Sequence, residues 1–243
     1  ASPPERRRAV ARTARRWAGR PAIVALSGLD GAGKSFQAVR LQATLERLGH
    51  QAVVVWPPAS NVIFQGNPAL KRRLLALLKA LGRAPETEPA PPASDGEPSV
   101  DPLPRQSAPV AHALAFVVAL AHVWAFRRGR TAAGRRVDVI IYDRYALDSI
   151  VYLRHRWGHG RAFRLQSALV HRLARRPAHA LFLDIPPDVA YARKQDFPID
   201  NLQERAELYH ELHAQLAVRR LDGKRAREDL CSEIAGAVWE GLG

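Results

Sequence analysis

The eight residues Gly28-Leu29-Asp30-Gly31-Ala32-Gly33-Lys34-Ser35 satisfy the pattern G-x-x-x-x-G-K-[ST] in full. That spacing suits phosphate chemistry. Glycines let successive backbone N–H groups turn inward around phosphate oxygens, and a following helix points its positive end at them. Lys34 can then reach the β- and γ-phosphates of a nucleoside triphosphate, while the Ser35 hydroxyl can ligate Mg²⁺. The alternative is a glycine-rich turn carrying a coincidental lysine. Context weighs against it: the apolar run Ala22–Ser27 reads as a strand before the loop. After the loop comes a helix-like segment with Val39, Leu41, Leu45 and Leu48 as anchors, ended by Gly49.

A second cluster, Asp143-Arg144-Tyr145, ends another apolar run, Val137–Tyr142. In open α/β sheets ligands bind beyond the carboxyl ends of the strands, so this pair is expected in the same crevice as the loop. Asp143 could hold Mg²⁺ through water, and Arg144 could clamp a phosphate or developing negative charge. An ion pair closing a strand end is the plainer reading.

Further strands are expected at Ala52–Trp56, at Ala180–Asp184 and, more weakly, at 217–222. Between them, helical patterns cover 67–82, about 110–128, 146–153, 164–174 and 187–194. Asn201-Leu202-Gln203-Glu204 resembles a capping box opening a helix to about Ala217, and a last helix carries Leu230, Ile234 and Val238. Strands with nearly continuous apolar residues, alternating with helices, predict a parallel sheet covered on both faces.

The blocks Ser27 to Ser35, Asp143-Arg144-Tyr145, and Leu183-Asp184-Ile185-Pro186-Pro187 followed by Ala192-Arg193-Lys194 resemble thymidylate kinase and its nucleoside monophosphate kinase relatives. The resemblance covers about residues 22–240, excluding the proline-rich stretch 83–109. It implies an α/β, P-loop NTPase-type three-layer fold with a five-stranded parallel sheet. It also implies transfer of the ATP γ-phosphoryl to an acceptor, with Mg²⁺, under a mobile lid. By resemblance Asp30 approaches the acceptor sugar hydroxyl. Gly31 occupies a place where some members carry a catalytic arginine, so that role passes to the lid: Arg193 is the candidate, with Lys194 and Arg205 behind it. The expected catalytic set is thus Lys34, Asp143, Arg144 and Arg193. The loop Gly28 to Ser35 would bind the donor, and Ser35 with Asp143 the metal. A homodimer is implied on the same ground.

The departures concentrate on the acceptor side. Trp56-Pro57-Pro58-Ala59 keeps the family's aromatic-proline shape but lacks the nearby arginine that holds an acceptor phosphate, a contact worth about 1.5–3 kcal/mol. His122 and its neighbours stand where members place Arg and Gln. Asp148 and Leu153 replace the usual Ser and Gln, while Tyr152 remains. Asp30, Trp56, Arg144 and Tyr152 are the candidate acceptor residues. dTMP is the default acceptor, a non-nucleotide small molecule the alternative.

Composition sets the outer limits. The 243 residues carry 37 Lys+Arg against 23 Asp+Glu, a formal charge of +14, and 47% are hydrophobic, enough for a core. Only five of the cations are lysines, and arginine grips phosphate in bidentate geometry. Residues 1–20 read as an arginine-rich arm and 83–109 as a disordered Pro/acid-rich insertion in a kinase domain spanning 21–243. A nucleotide-binding regulatory or nucleic-acid-associated protein using the arm is a third reading, unsupported by any RNP, homeodomain or zinc-finger signature. Cys231 is the single cysteine, which excludes an internal disulfide and makes the cytoplasm the expected compartment. Ala113–Phe126 is too short to span a bilayer. His210 and His213 are spaced three apart rather than the four of a helical zinc site.

Overall fold

The computed structural model describes residues 21–57, 108–134, 136–158 and 163–242. The expected arm, the helix at 67–82 and residues 83–107 of the expected insertion lie outside the described residues. The elements run β1 (Ala22–Ser27), α1 (Lys34–Arg47), β2 (Ala52–Val55), α2 (Ala108–Ala133), β3 (Val139–Asp143), α3 (Ala146–Trp157) and α4 (Arg164–Leu173). Then follow β4 (His179–Asp184), α5 (Pro187–Arg193), α6 (Ile199–Gln215), β5 (Arg219–Asp222) and α7 (Arg227–Leu242). Strand–helix alternation is as the apolar runs predict, and α2 extends beyond 110–128 at both ends.

The sheet is five-stranded and parallel in the order β2-β3-β1-β4-β5. Every residue of β1 and β3 is buried, which is why their sequences are apolar throughout rather than alternating. Helices α1 and α7 pack together on one face; α2, α3, α4 and α6 pack together on the other. This is the three-layer α/β architecture of a P-loop NTPase fold. At the β5 edge Arg219 and Arg220 project outward and pair with Glu233 and Asp184. Such charges keep an open edge from pairing with other strands.

Register brings the chemistry together. Leu26 of β1 lies opposite Asp143 of β3, and Ser27 opposite Phe182 of β4, two residues before Asp184. The carboxyl ends of the central strands therefore form one rim. The strand order also reverses around β1: the chain leaves β1 toward β2 and returns past it to β4, opening a crevice there.

Helix α6 starts at Ile199, not Asn201. Pro198 cannot donate an N–H and restricts Phe197 before it, so the helix begins immediately after the proline. Asn201 is thus inside the helix, and Glu204 faces His155 at 3.2 Å instead of closing a capping box.

Leu41 on α1 is fully buried, whereas Val39, two residues earlier, is 49% exposed. Leu41→Ala should lower the unfolding free energy by about 2–5 kcal/mol. Val39→Ala should change it by no more than about 0.5 kcal/mol. Chemical denaturation of both variants checks the orientation of the helix that carries the phosphate loop.

Candidate functional site

The loop between β1 and α1 is held by close backbone packing. A Cβ on Gly28 (φ +145°) would meet the carbonyl oxygen of Leu183 at 2.6 Å, and one on Gly31 (φ +87°) would meet that of Ala190 at 2.6 Å. Gly33, also at φ +87°, has open space around it. Two of the three glycines are therefore required by neighbouring backbone as well as by their own conformation. Lys34 is buried and its ammonium donates to the carbonyls of Gly28, at 2.8 Å, and Leu29, at 2.6 Å. Burial, reinforced by the charge of Arg144, brings its pKa down to about 8.

Beside the loop, the Ser35 hydroxyl donates to Oδ2 of Asp143. The other oxygen, Oδ1, is buried and has no hydrogen-bond partner among the described residues. An orphaned carboxylate oxygen beside a hydroxyl is a hard, all-oxygen donor pair of the kind Mg²⁺ prefers. With the glycine turns next to it, the set fits a metal-bound polyphosphate.

Arg144 adopts a left-handed backbone at φ +79°, unusual for a side chain of its size. Its N–H still reaches the Leu26 carbonyl at 2.9 Å, and its guanidinium forms an ion pair with Oδ1 of Asp30. Arg205 approaches the other oxygen of Asp30 at 3.5 Å. Burial alone would raise the Asp30 pKa, but Arg144, Lys34 and Arg205 outweigh it and hold the carboxyl below its ordinary value. Burial likewise opposes the charge of Arg144, while Asp30, Tyr209, Asp148 and Asp143 carry its pKa above the usual arginine range.

Asp30, Lys34, Ser35, Asp143 and Arg144 line a cleft of about 590 Å³ at the strand ends, within the range of small-molecule sites. Six cationic side chains (Lys34, Arg144, Arg193, Lys194, Arg225 and Arg227) face it against two acids, Asp30 and Asp143. Arg193 donates to the Gly31 carbonyl at 3.4 Å. Phe36 opens on the same cleft, with the Arg227 guanidinium 5.2 Å from its ring centroid.

Trp56 and Tyr152 are not among the residues lining this cleft. Trp56 is 57% exposed at the end of β2. Tyr152 packs edge-on to Trp157 at 6.2 Å and beside His122 at 5.8 Å. Burial takes the His122 pKa down to about 4, so its imidazole is neutral.

The structure adds to the sequence reading at three residues. Asp148, counted with the acceptor side, lies behind the loop and outside the cleft, accepting from Ser27 Oγ at 2.6 Å. Arg205, ranked behind Arg193 among the lid arginines, is far less exposed: its side chain is 13% accessible and stacks over Phe197 at 4.4 Å. Arg227 had no motif to flag it. Helical spacing could have flagged Arg205, which lies one turn before Tyr209 on the inward face of α6.

Gly31→Ala and Gly33→Ala should separate the two constraints on the loop. The strained backbone alone costs about 1–3 kcal/mol in either variant, and Gly31→Ala adds a backbone collision with α5. Thermal melting should therefore fall further for Gly31→Ala than for Gly33→Ala. Equal shifts would place α5 away from the loop.

Among the described residues no helix is long and apolar enough to cross a membrane, and no group of three or more His, Cys, Asp or Glu side chains is placed to hold a metal ion. No protein-family model matches the chain. Thymidylate kinase of Symbiobacterium thermophilum is 27% identical over 231 residues, which covers 90% of this chain and 94% of that relative. The chain is thus distantly similar to thymidylate kinase, and its parallel five-stranded sheet with a glycine loop at the carboxyl rim agrees with that similarity.

Proposed function

We propose that the chain is an ATP-dependent kinase that moves the γ-phosphoryl group of ATP to a nucleoside monophosphate, with dTMP the first acceptor to test. The observation that supports it most is the cleft itself. There the phosphate loop, Asp143 and Arg144 converge, with six cations facing two acids.

In this reading the loop N–H groups and Lys34 hold the β- and γ-phosphates. Ser35 and Asp143 hold Mg²⁺, which when bound neutralises charge across those phosphates. Arg144 and Arg193 stabilise charge on the transferring group, so catalysis is positioning plus electrostatics. Asp30, kept ionised by its cations, receives the acceptor hydroxyl's side of the site, and Arg205 fixes its orientation. Phe36 and Arg227 form the flat, cationic end of the cleft suited to the donor base.

The test is acceptor-dependent ADP release across nucleoside monophosphates, nucleosides and sugars. Turnover with dTMP or a related monophosphate, reduced about a thousandfold or more in Lys34→Ala, is expected. ATP binding without turnover of any acceptor would overturn the reading. A non-nucleotide acceptor is the second reading, favoured by one specific feature: Pro58 and Ala59 follow Trp56-Pro57 where the family has a phosphate-holding arginine. Preferential turnover of dTMP would exclude it.

The Lys34 pKa of about 8 gives a pH signature. Below that value the side chain is an ammonium; above it the free protein holds a neutral amine. A bound phosphate favours the ammonium, so binding above pH 8 must take up a proton. ATP affinity should be level from pH 7 to 8 and then fall by up to about tenfold per pH unit. Titration with a fluorescent ATP analogue between pH 7 and 9.5 measures this, and the fall should be absent in Lys34→Ala.

A further inference from the structure

We propose that Asp148 is the positioning residue for the phosphate loop: one buried carboxylate that fixes the mouth of the loop and the Arg144 turn as a single unit. The proposal rests on reading the loop as the donor-nucleotide site.

Asp148 is 8% exposed and accepts four hydrogen bonds from three places in the chain. Its Oδ2 takes the Ser27 hydroxyl, at the end of β1, at 2.6 Å, and the backbone N–H of Tyr145 at 2.9 Å. Its Oδ1 takes the Tyr209 hydroxyl at 2.8 Å and the backbone N–H of Gly28 at 3.3 Å. Gly28 is the first residue of the loop, and Tyr145 follows Arg144. The carboxylate therefore ties the two strand ends together beyond their last ladder bonds. Tyr209 brings in α6: its hydroxyl also lies 3.1 Å from the Gly28 carbonyl, and its ring stacks on Phe182 at 5.1 Å.

An ionised carboxylate suits this place because it only accepts, and all four neighbours donate. Two of those donors are hydroxyls, which can rotate and accept instead. The other two are backbone N–H groups, which cannot. An asparagine at 148 therefore fails in either orientation: turned one way its NH₂ confronts Gly28, turned the other it confronts Tyr145. The negative charge has a second effect, since it lies close enough to favour the charged forms of both Lys34 and Arg144. A serine, the residue the resemblance leads one to expect here, would supply neither the charge nor a second acceptor atom.

The experiment compares wild type with Asp148→Asn, Ser27→Ala and Tyr209→Phe, the last two keeping the charge and both backbone contacts. Two readouts are taken: the affinity for a fluorescent ATP analogue with Mg²⁺, and amide hydrogen exchange of residues 28–34 in the ligand-free protein, referenced to β3. Asp148→Asn should weaken nucleotide binding about tenfold or more, from loss of charge-assisted hydrogen bonds. It should also speed exchange in the loop well beyond that in β3. Ser27→Ala and Tyr209→Phe should move both readouts in the same direction by less, and they carry the test if Asp148→Asn does not fold. Uniform acceleration of loop and β3, with nucleotide affinity of the folded protein within twofold of wild type, would reduce Asp148 to a general structural residue and overturn the proposal. Failure of the wild type to bind nucleotide would instead refute the proposed function. The exchange comparison needs no ligand and would still decide whether Asp148 holds the loop.

Discussion

Parallel pairing of β1 with β3, which sets Leu26 opposite Asp143, is the constraint on which the remaining geometry depends. Beyond that pair the strands part: β1 runs into the glycine loop and β3 into Arg144, whose N–H still bonds the Leu26 carbonyl at 2.9 Å. Holding a large side chain at φ +79° costs about 1–3 kcal/mol. That strain turns the guanidinium back across the loop to Asp30, which an extended residue following the strand would not do. A slip of one residue between the strands would send Asp143 to the opposite face of the sheet and break its contact with Ser35.

Once Arg144 is in place, the charges around Asp30 become interdependent. Lys34, Arg144 and Arg205 all act on this one carboxylate, and Lys34 and Arg144 sit where burial disfavours an isolated charge. Removing the carboxylate would leave buried cations without a counter-charge, a change that typically costs about 3–5 kcal/mol. Asp30 thus has a structural duty that precedes any contact with an acceptor. The loop position that looked like a substrate residue is also the electrostatic keystone of the resting site.

The glycine loop was legible in sequence because its specification is local. Phosphate binding needs glycines, a lysine and a hydroxyl at fixed spacing between a strand and a helix. Gly28, Gly31, Lys34 and Ser35 satisfy that requirement without reference to anything else. The strands were legible for a similar reason, since full burial on both faces writes itself as an unbroken apolar run. The contacts of Asp148 were less legible because two of its partner residues lie far away, Ser27 by 121 positions, and no spacing rule announces Ser27 or Tyr209 as a neighbour; only Tyr145, three residues before it at the helix N-terminus, is local. The setting of Arg205 was hidden for the same reason: on sequence it is one polar residue in an amphipathic helix, and only packing against Phe197 and Asp30 distinguishes it. The boundary of α6 failed on local grounds, because the conformational demand of Pro198 overrode a cap-like tetrapeptide two residues later.

The excess of basic residues also divides by location. Outside the cleft, Arg154 pairs with Glu211, Arg220 with Asp184, and Arg219 with Glu233, which also pairs with Arg225 of the cleft wall. Exposed pairs of this kind contribute about 0–1 kcal/mol each and largely cancel one another's field. In the cleft, the balance is different: six cations face two acids, Asp30 is already paired with arginines, and Asp196 and Glu233 offset only Lys194 and Arg225, so positive charge still dominates the potential. A concave wall of low polarity focuses such a field toward its opening. The formal charge of +14 therefore says less about a preference for extended polyanions than about an abundance of arginine. The unbalanced set is small and is held at the carboxyl rim of the sheet, where the proposed function puts a compact, multiply charged phosphate against the backbone of the loop.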